Sequence, residues 1–110
     1  PMSKDRLYLD SIRECLDRIA AYTAEGEATF LDSTLIQDGV IRNLISIGEA
    51  TKNLSAELRG AHSDIPWRQI AGMRDVLIHD YLKISLVRIW RTVATDLPPL
   101  RATVQKLLQS

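Results

Sequence analysis

Apolar residues recur every three or four positions along most of the chain, the spacing of one face of an α-helix. Leu9, Ile12, Leu16 and Ile19 form the first stripe, with Tyr8, Cys15 and Tyr22 beside it. They predict a helix over residues 4–24, which Gly26 ends. Asp32, Ser33 and Thr34 then offer N-caps to a second helix, roughly 33–54. Its stripe of Ile36, Val40, Ile41, Leu44, Ile45, Ile47 and Leu54 covers more than one face. Such a helix either lies at the centre of the fold or buries a second face in a partner.

Residues 55–65 read as a linker, with Gly60, His62, Ser63 and Asp64 supplying turn chemistry. Pro66 suits the first turn of a third helix, about 66–79. After a break near 82–85, Ser85 is placed to cap a fourth helix carrying Leu86, Ile89, Trp90, Val93 and Leu97. Pro98-Pro99 is expected to end or kink it. An amphipathic tail follows over 100–108 through Leu100, Val104, Leu107 and Leu108. No strand pattern, repeat or low-complexity stretch competes. The predicted fold is an all-α antiparallel bundle of four to five helices with short connections.

Composition adds limits. With 110 residues, 45% of them apolar, one domain over residues 2–110 is expected, Pro1 being taken as extraneous. The single cysteine, Cys15, excludes an internal disulfide and a Cys-based zinc site, and it reads as a buried thiol. Without an apolar run near ~18 residues or a signal-peptide pattern, the expected location is cytoplasmic, with no membrane partner. Net charge is zero, which argues against a uniformly basic nucleic-acid coat. The halves differ, however. Residues 1–55 hold 6 basic and 9 acidic side chains, and residues 56–110 hold 8 and 5. A polyanion would meet the second half.

Candidate chemistry concentrates in "MRDVLIHDY", residues 73–81. Arg74 and His79 are five positions apart, a rotation of roughly 140° on a regular helix, so they do not share a face. Tyr81 falls nearer Arg74. Two arrangements would unite them: a helix that ends near 79, or two copies of the chain facing each other. The residues alone leave two readings open. One is a surface arginine, a structural histidine and a core-edge tyrosine; the other is a single site. Glu49, in an apolar neighbourhood, would want a cation, and Arg74 is a candidate. Gly48 beside it would permit close helix approach. Asn43 and Asp38 share that helix and are expected to line the same cleft. Asp75 and Asp80 flank the Arg–His pair. Arg68, Lys83, Arg88 and Arg91 are either ordinary solvated charges or a funnel for RNA phosphates. His62 reads as solvated, and His62 and His79 have no shared metal-ligand spacing.

"IPWRQIAGMRDVLIHDY" resembles the Arg-x4-His-x-Tyr motif of HEPN-domain proteins, in particular their HepT-like branch. "QDGVIRNLISIGEATKNL" upstream and "VRIWRTVATDLPPL" downstream are similar to that branch as well, so the resemblance covers about residues 7–108. The branch often has Asn after the motif arginine. Here Asp75 stands, an acid beside the guanidinium.

The resemblance implies a two-fold symmetric dimer and a metal-independent endoribonuclease without cofactor, the toxin of a type VII-like toxin–antitoxin pair. His79 would be the general base on a ribose 2′-OH, Arg74 the clamp on phosphate charge, and a second His79 across the two-fold axis the general acid. Imidazole suits proton transfer near neutral pH, and guanidinium suits bidentate phosphate. In the resembled toxins the motif tyrosine accepts AMP from a nucleotidyltransferase antitoxin, which assigns Tyr81 as the modification site. The alternative is a non-catalytic helical module that binds a nucleotidyltransferase or its nucleotide.

Overall fold

Long helices form where the three-and-four spacing runs unbroken, and short ones where a single apolar anchor is capped by a serine or a glycine turn. The structure is a computed structural model that describes residues 2–80 and 83–109. In chain order the helices are α1 (Met2–Tyr22), α2 (Glu27–Asp32), α3 (Thr34–Lys52), α4 (Ala56–Ala61), α5 (Trp67–His79), α6 (Leu86–Arg91) and α7 (Leu97–Leu108). A π-helical turn, Thr92–Asp96, joins α6 to α7. The described residues contain no strand, so the chain is all-α, as predicted.

α3 is the central helix. It packs against α1 on one side and α5 on another, while α7 lies along α1. Leu9, Ile12, Leu16 and Ile19 of α1 are buried, as are Val40, Leu44 and Ile47 of α3 and Leu100 and Val104 of α7. Burying each such side chain contributes about 1.5–3 kcal/mol. Most of the apolar excess of α3 is therefore spent inside the chain, with Ile36 and Ile45 partly buried and Leu35 exposed. Cys15 is free and buried, and burial pushes its thiol pKa up.

Three connections depart from expectation. First, residues 55–65 are not a plain linker: α4 forms there because the Ser55 Oγ accepts the Leu58 amide at 3.1 Å and Leu58 is buried. Asp5, itself buried, accepts from the Ser55 amide at 2.8 Å and from the Ser55 hydroxyl at 2.7 Å. The first turn of α1 thus holds the cap of α4. Second, Gly26 does more than stop α1. Its φ of 96° turns the chain into α2, which Phe30 anchors in the core. Third, Pro98-Pro99 does not stop the helical run, which passes through the π turn into α7. The Leu97 amide donates to the Thr92 carbonyl, one residue further back than in an α-turn. The prolines then sit in the first turn of α7, where a missing N–H costs least. Ala94, Thr95 and Asp96 are exposed, so carbonyls left without a partner can meet water.

The serine caps lie where the sequence puts them. Ser33 Oγ accepts the Ile36 amide at 3.1 Å, and Ser85 Oγ the Arg88 amide at 3.4 Å. Among the described residues no helix is long and apolar enough to cross a membrane.

Candidate functional site

α5 carries the Arg–His pair, and its anchoring decides where they point. At its start Trp67 is buried and donates from Nε1 to the His62 carbonyl at 2.9 Å. Ile70 and Leu77 bury the face turned to α3. Arg74 lies on the same side, four positions after one and three before the other. Gly48 of α3 makes the close approach possible. A Cβ there would sit 2.8 Å from Arg74 Cβ, 3.1 Å from the Ile70 carbonyl oxygen and 3.2 Å from the Arg74 amide nitrogen.

At that crossing the Arg74 side chain, 33% exposed, meets two carboxylates. Its Nε is 2.9 Å from Glu49 Oε2 and its Nη1 is 2.9 Å from Asp75 Oδ1. Lys52 Nζ stands 3.2 Å from the same Asp75 oxygen. A chain of four charges results: Glu49, Arg74, Asp75, Lys52. The hydrogen bond from Arg74, with a second from Lys52, holds the Asp75 carboxyl below the usual carboxylate range. Asp75, and then Glu49, favour the charged form of Arg74. Exposed pairs of this kind add little stability. Their effect is orientation. Two of the five guanidinium N–H groups are engaged by these carboxylates, and Nη2 has no partner among the described residues. Lys52 has no place in the sequence reading, although it stands three residues after Glu49 on the same helix.

His79 is the last residue of α5 and is exposed. Asp80 follows as C-cap, its amide donating to the Val76 carbonyl at 2.9 Å. Because α5 stays regular through His79, the pair keeps the helical offset of roughly 140° and about 7.5 Å of rise. The structure therefore does not bring Arg74 and His79 into one pocket within a chain. The helix ends near 79 but too late to release the histidine. Tyr81 lies outside the described residues.

The supporting residues divide. Glu49 and Asp75 touch Arg74. Asn43 does not: six positions before Glu49 on α3, it is rotated by roughly 120° from it. It is buried against α1, donating to the Gly39 carbonyl at 2.8 Å and accepting from Arg18 at 3.5 Å. With Asp38 it lines a separate cleft of about 790 Å³ between α1 and α3. Arg68 is also displaced, since it lies at the opposite end of α5, roughly 16 Å along the axis from His79. Asp80, Lys83 and Arg88 line one cleft of about 390 Å³ between α3, α5 and α6. Arg91, exposed, is one turn beyond Arg88.

A family model described as Ribonuclease HepT-like matches residues 12–107. The chain is 41% identical over 101 residues to a "Probable ribonuclease HepT" of Thermococcus cleftensis, covering 91% of this chain and 92% of that protein. Two further relatives carry "putative RNase" in their names. One, from Caldanaerobacter subterraneus subsp. tengcongensis, is 38% identical over 112 residues, covering 98% of this chain and 97% of the relative. The other, from Methanocaldococcus jannaschii, is also named a gamma-glutamylcyclotransferase and is 40% identical over 110 residues. That match covers 98% of this chain but only 50% of the longer relative. No solved structure matches the chain.

Proposed function

The chain belongs to the HepT-like ribonuclease family, and from that membership we propose that it is a metal-independent endoribonuclease whose site is completed across a two-fold axis. One observation carries the reading: Arg74, one-third exposed, is held by Glu49 and Asp75 at the α3–α5 crossing, while His79 of the same helix lies roughly 140° round it. A second copy that apposes its own α5 supplies the missing imidazole.

The chemistry follows from the two groups. His79 takes the proton of a ribose 2′-OH. The 2′-oxygen attacks the adjacent phosphorus as the bond to the 5′-oxygen breaks. Arg74 binds the non-bridging oxygens as their charge rises. The partner's His79, protonated, gives the leaving 5′-oxygen its proton. The products are a 2′,3′-cyclic phosphate and a 5′-hydroxyl. No step calls on a metal ion.

The test is cleavage of single-stranded RNA with EDTA present. The expected result is fragments ending in 2′,3′-cyclic phosphate, with the all-2′-deoxy strand intact. Failure to cleave, or equal cleavage of the deoxy strand, removes the reading. The two carboxylates already on Arg74 favour the rival, a non-catalytic module that binds a nucleotidyltransferase or nucleotide, and that rival predicts no cleavage in any buffer.

The activity fits the toxin of a toxin–antitoxin pair, silenced by a nucleotidyltransferase antitoxin. The Tyr81 phenol oxygen would attack the α-phosphorus of ATP and release pyrophosphate. An anionic AMP two residues from His79 would repel an incoming RNA phosphate. Incubation with a nucleotidyltransferase of the partner gene and ATP should add AMP units to the chain and lower cleavage. If mass spectrometry finds no adduct, or finds one that persists in Tyr81→Phe, this regulation does not operate.

A further inference from the structure

The cleft between α3, α5 and α6 begins one residue past His79, and its lining suits a nucleotide. Its walls are apolar, formed by Leu44, Met73, Val76 and Ile89 among others. Asp80, Lys83 and Arg88 stand among them as the charged members. At about 390 Å³ it falls in the range of small-molecule sites, which bury an apolar body and fix it with a few polar groups. Neither the Lys83 ammonium nor the Arg88 guanidinium has an ion pair among the described residues. Both are exposed.

We propose that this cleft is a base-binding subsite for the RNA strand, holding one unstacked nucleotide beside the scissile bond. The inference rests on the ribonuclease reading. The base would lie against Met73, whose thioether packs well on aromatic rings, and against Val76 and Leu44. Lys83 and Arg88 would hold the phosphate of that nucleotide. Asp80 then has a role that a phosphate site alone would not need, because its carboxylate accepts from an exocyclic amino group. Cytosine, adenine and guanine carry one and uracil does not. Uracil offers only its N3–H, flanked by two carbonyl oxygens that a carboxylate repels, so the subsite favours amino-bearing bases. Single-stranded RNA is the fitting occupant, since only unpaired bases can be turned out into a side cleft.

Binding is measured on the cleavage-dead His79→Ala chain by fluorescence polarisation with a labelled, short, mixed-sequence single-stranded RNA. Two variants are added to that background. Arg88→Glu reverses the phosphate contact. Val76→Trp plugs the cleft from a position that is already 54% exposed, so folding should survive. Each should weaken binding by about tenfold or more, with unchanged circular dichroism. CMP, AMP and GMP should displace the labelled strand at lower concentration than UMP. The subsite is overturned if the His79→Ala chain does not bind the probe, if both added variants bind it as their parent does, or if UMP competes equally. Loss of the subsite would leave wild-type cleavage standing. Absence of wild-type cleavage would instead remove the ribonuclease reading, and the binding data would remain.

Discussion

Arg74→Ala and His79→Ala chains are each expected to lose RNA cleavage, and mixing them is expected to bring part of it back. The single losses follow from the roles. Removing a general base typically costs about 10²–10⁴ in rate, and removing a donor to developing oxyanion charge about 10²–10³. Restoration follows from α5. Its regular backbone keeps the two side chains on different faces of one helix, so under the proposed reading a working pair takes Arg74 from one copy and His79 from the other. In a mixed dimer one such pair has lost both members and the other is intact. Random pairing makes half the dimers mixed, which sets a ceiling of roughly a quarter of wild-type activity. Loss of the second imidazole as general acid would lower it further. Co-refolding the two variants and assaying cleavage checks the outcome. A mixture as inactive as its components would mean that one cross-subunit Arg74–His79 pair with a single imidazole does not suffice for cleavage. Melting temperatures should stay near wild type, since the Arg74 pairs are partly exposed and the His79 side chain is exposed.

The second large effect is expected at Gly48. Placing valine there forces side-chain atoms into the α3–α5 crossing, where even a Cβ would be 2.8 Å from Arg74 Cβ. Two of the three nearest atoms belong to the α5 backbone, so no flexible tip can move aside. Overpacking of this kind costs about 1–3 kcal/mol. Replacing a helical glycine returns up to about 1 kcal/mol of propensity, less for a β-branched residue. Packing wins, and Gly48→Val should lose on the order of 2 kcal/mol in urea denaturation. Cleavage should fall further than the unfolded fraction explains, because α5 must move and Arg74 moves with it. Gly72 is the control. A Cβ there meets nothing within 4 Å, so Gly72→Ala should stabilise the fold by about 1 kcal/mol or less. A Gly48→Val chain as stable as wild type would show that the crossing is looser than the structure has it.

What could be read before folding depended on how local each determinant was. The long helices and their serine caps at Ser33 and Ser85 are local, and periodicity reveals them. The Glu49–Arg74 pair was accessible by a different argument: a carboxylate amid Ile45, Ile47 and Gly48 needs a cation, and Arg74 was the candidate at hand. Asp5 holding Ser55 was not accessible, because the two are fifty positions apart and neither is unusual where it stands. α2 and α4 escaped because a six-residue helix with one buried anchor shows no period. Asn43 shares α3 with Glu49 but not its cleft, because six positions rotate a side chain well away from Glu49. Arg68 is near the Arg–His pair in sequence but lies at the far end of α5, because a helix spreads sequence neighbours along a rod. That the helical run continues past the paired prolines is not legible in composition, because only the wider turn ahead of them seats them in the first turn of α7.

The quartet at the α3–α5 crossing has a further consequence. Two cations and two anions sum to zero, so beyond about 8–10 Å in physiological salt the group exerts almost no pull on an approaching polyanion. Arg74 can recognise a phosphate only at contact. Capture from a distance falls to the cations past the end of α5, Lys83 and Arg88, which have no ion pair among the described residues. Ionic strength should therefore govern how fast RNA arrives far more than how fast a docked strand is cut.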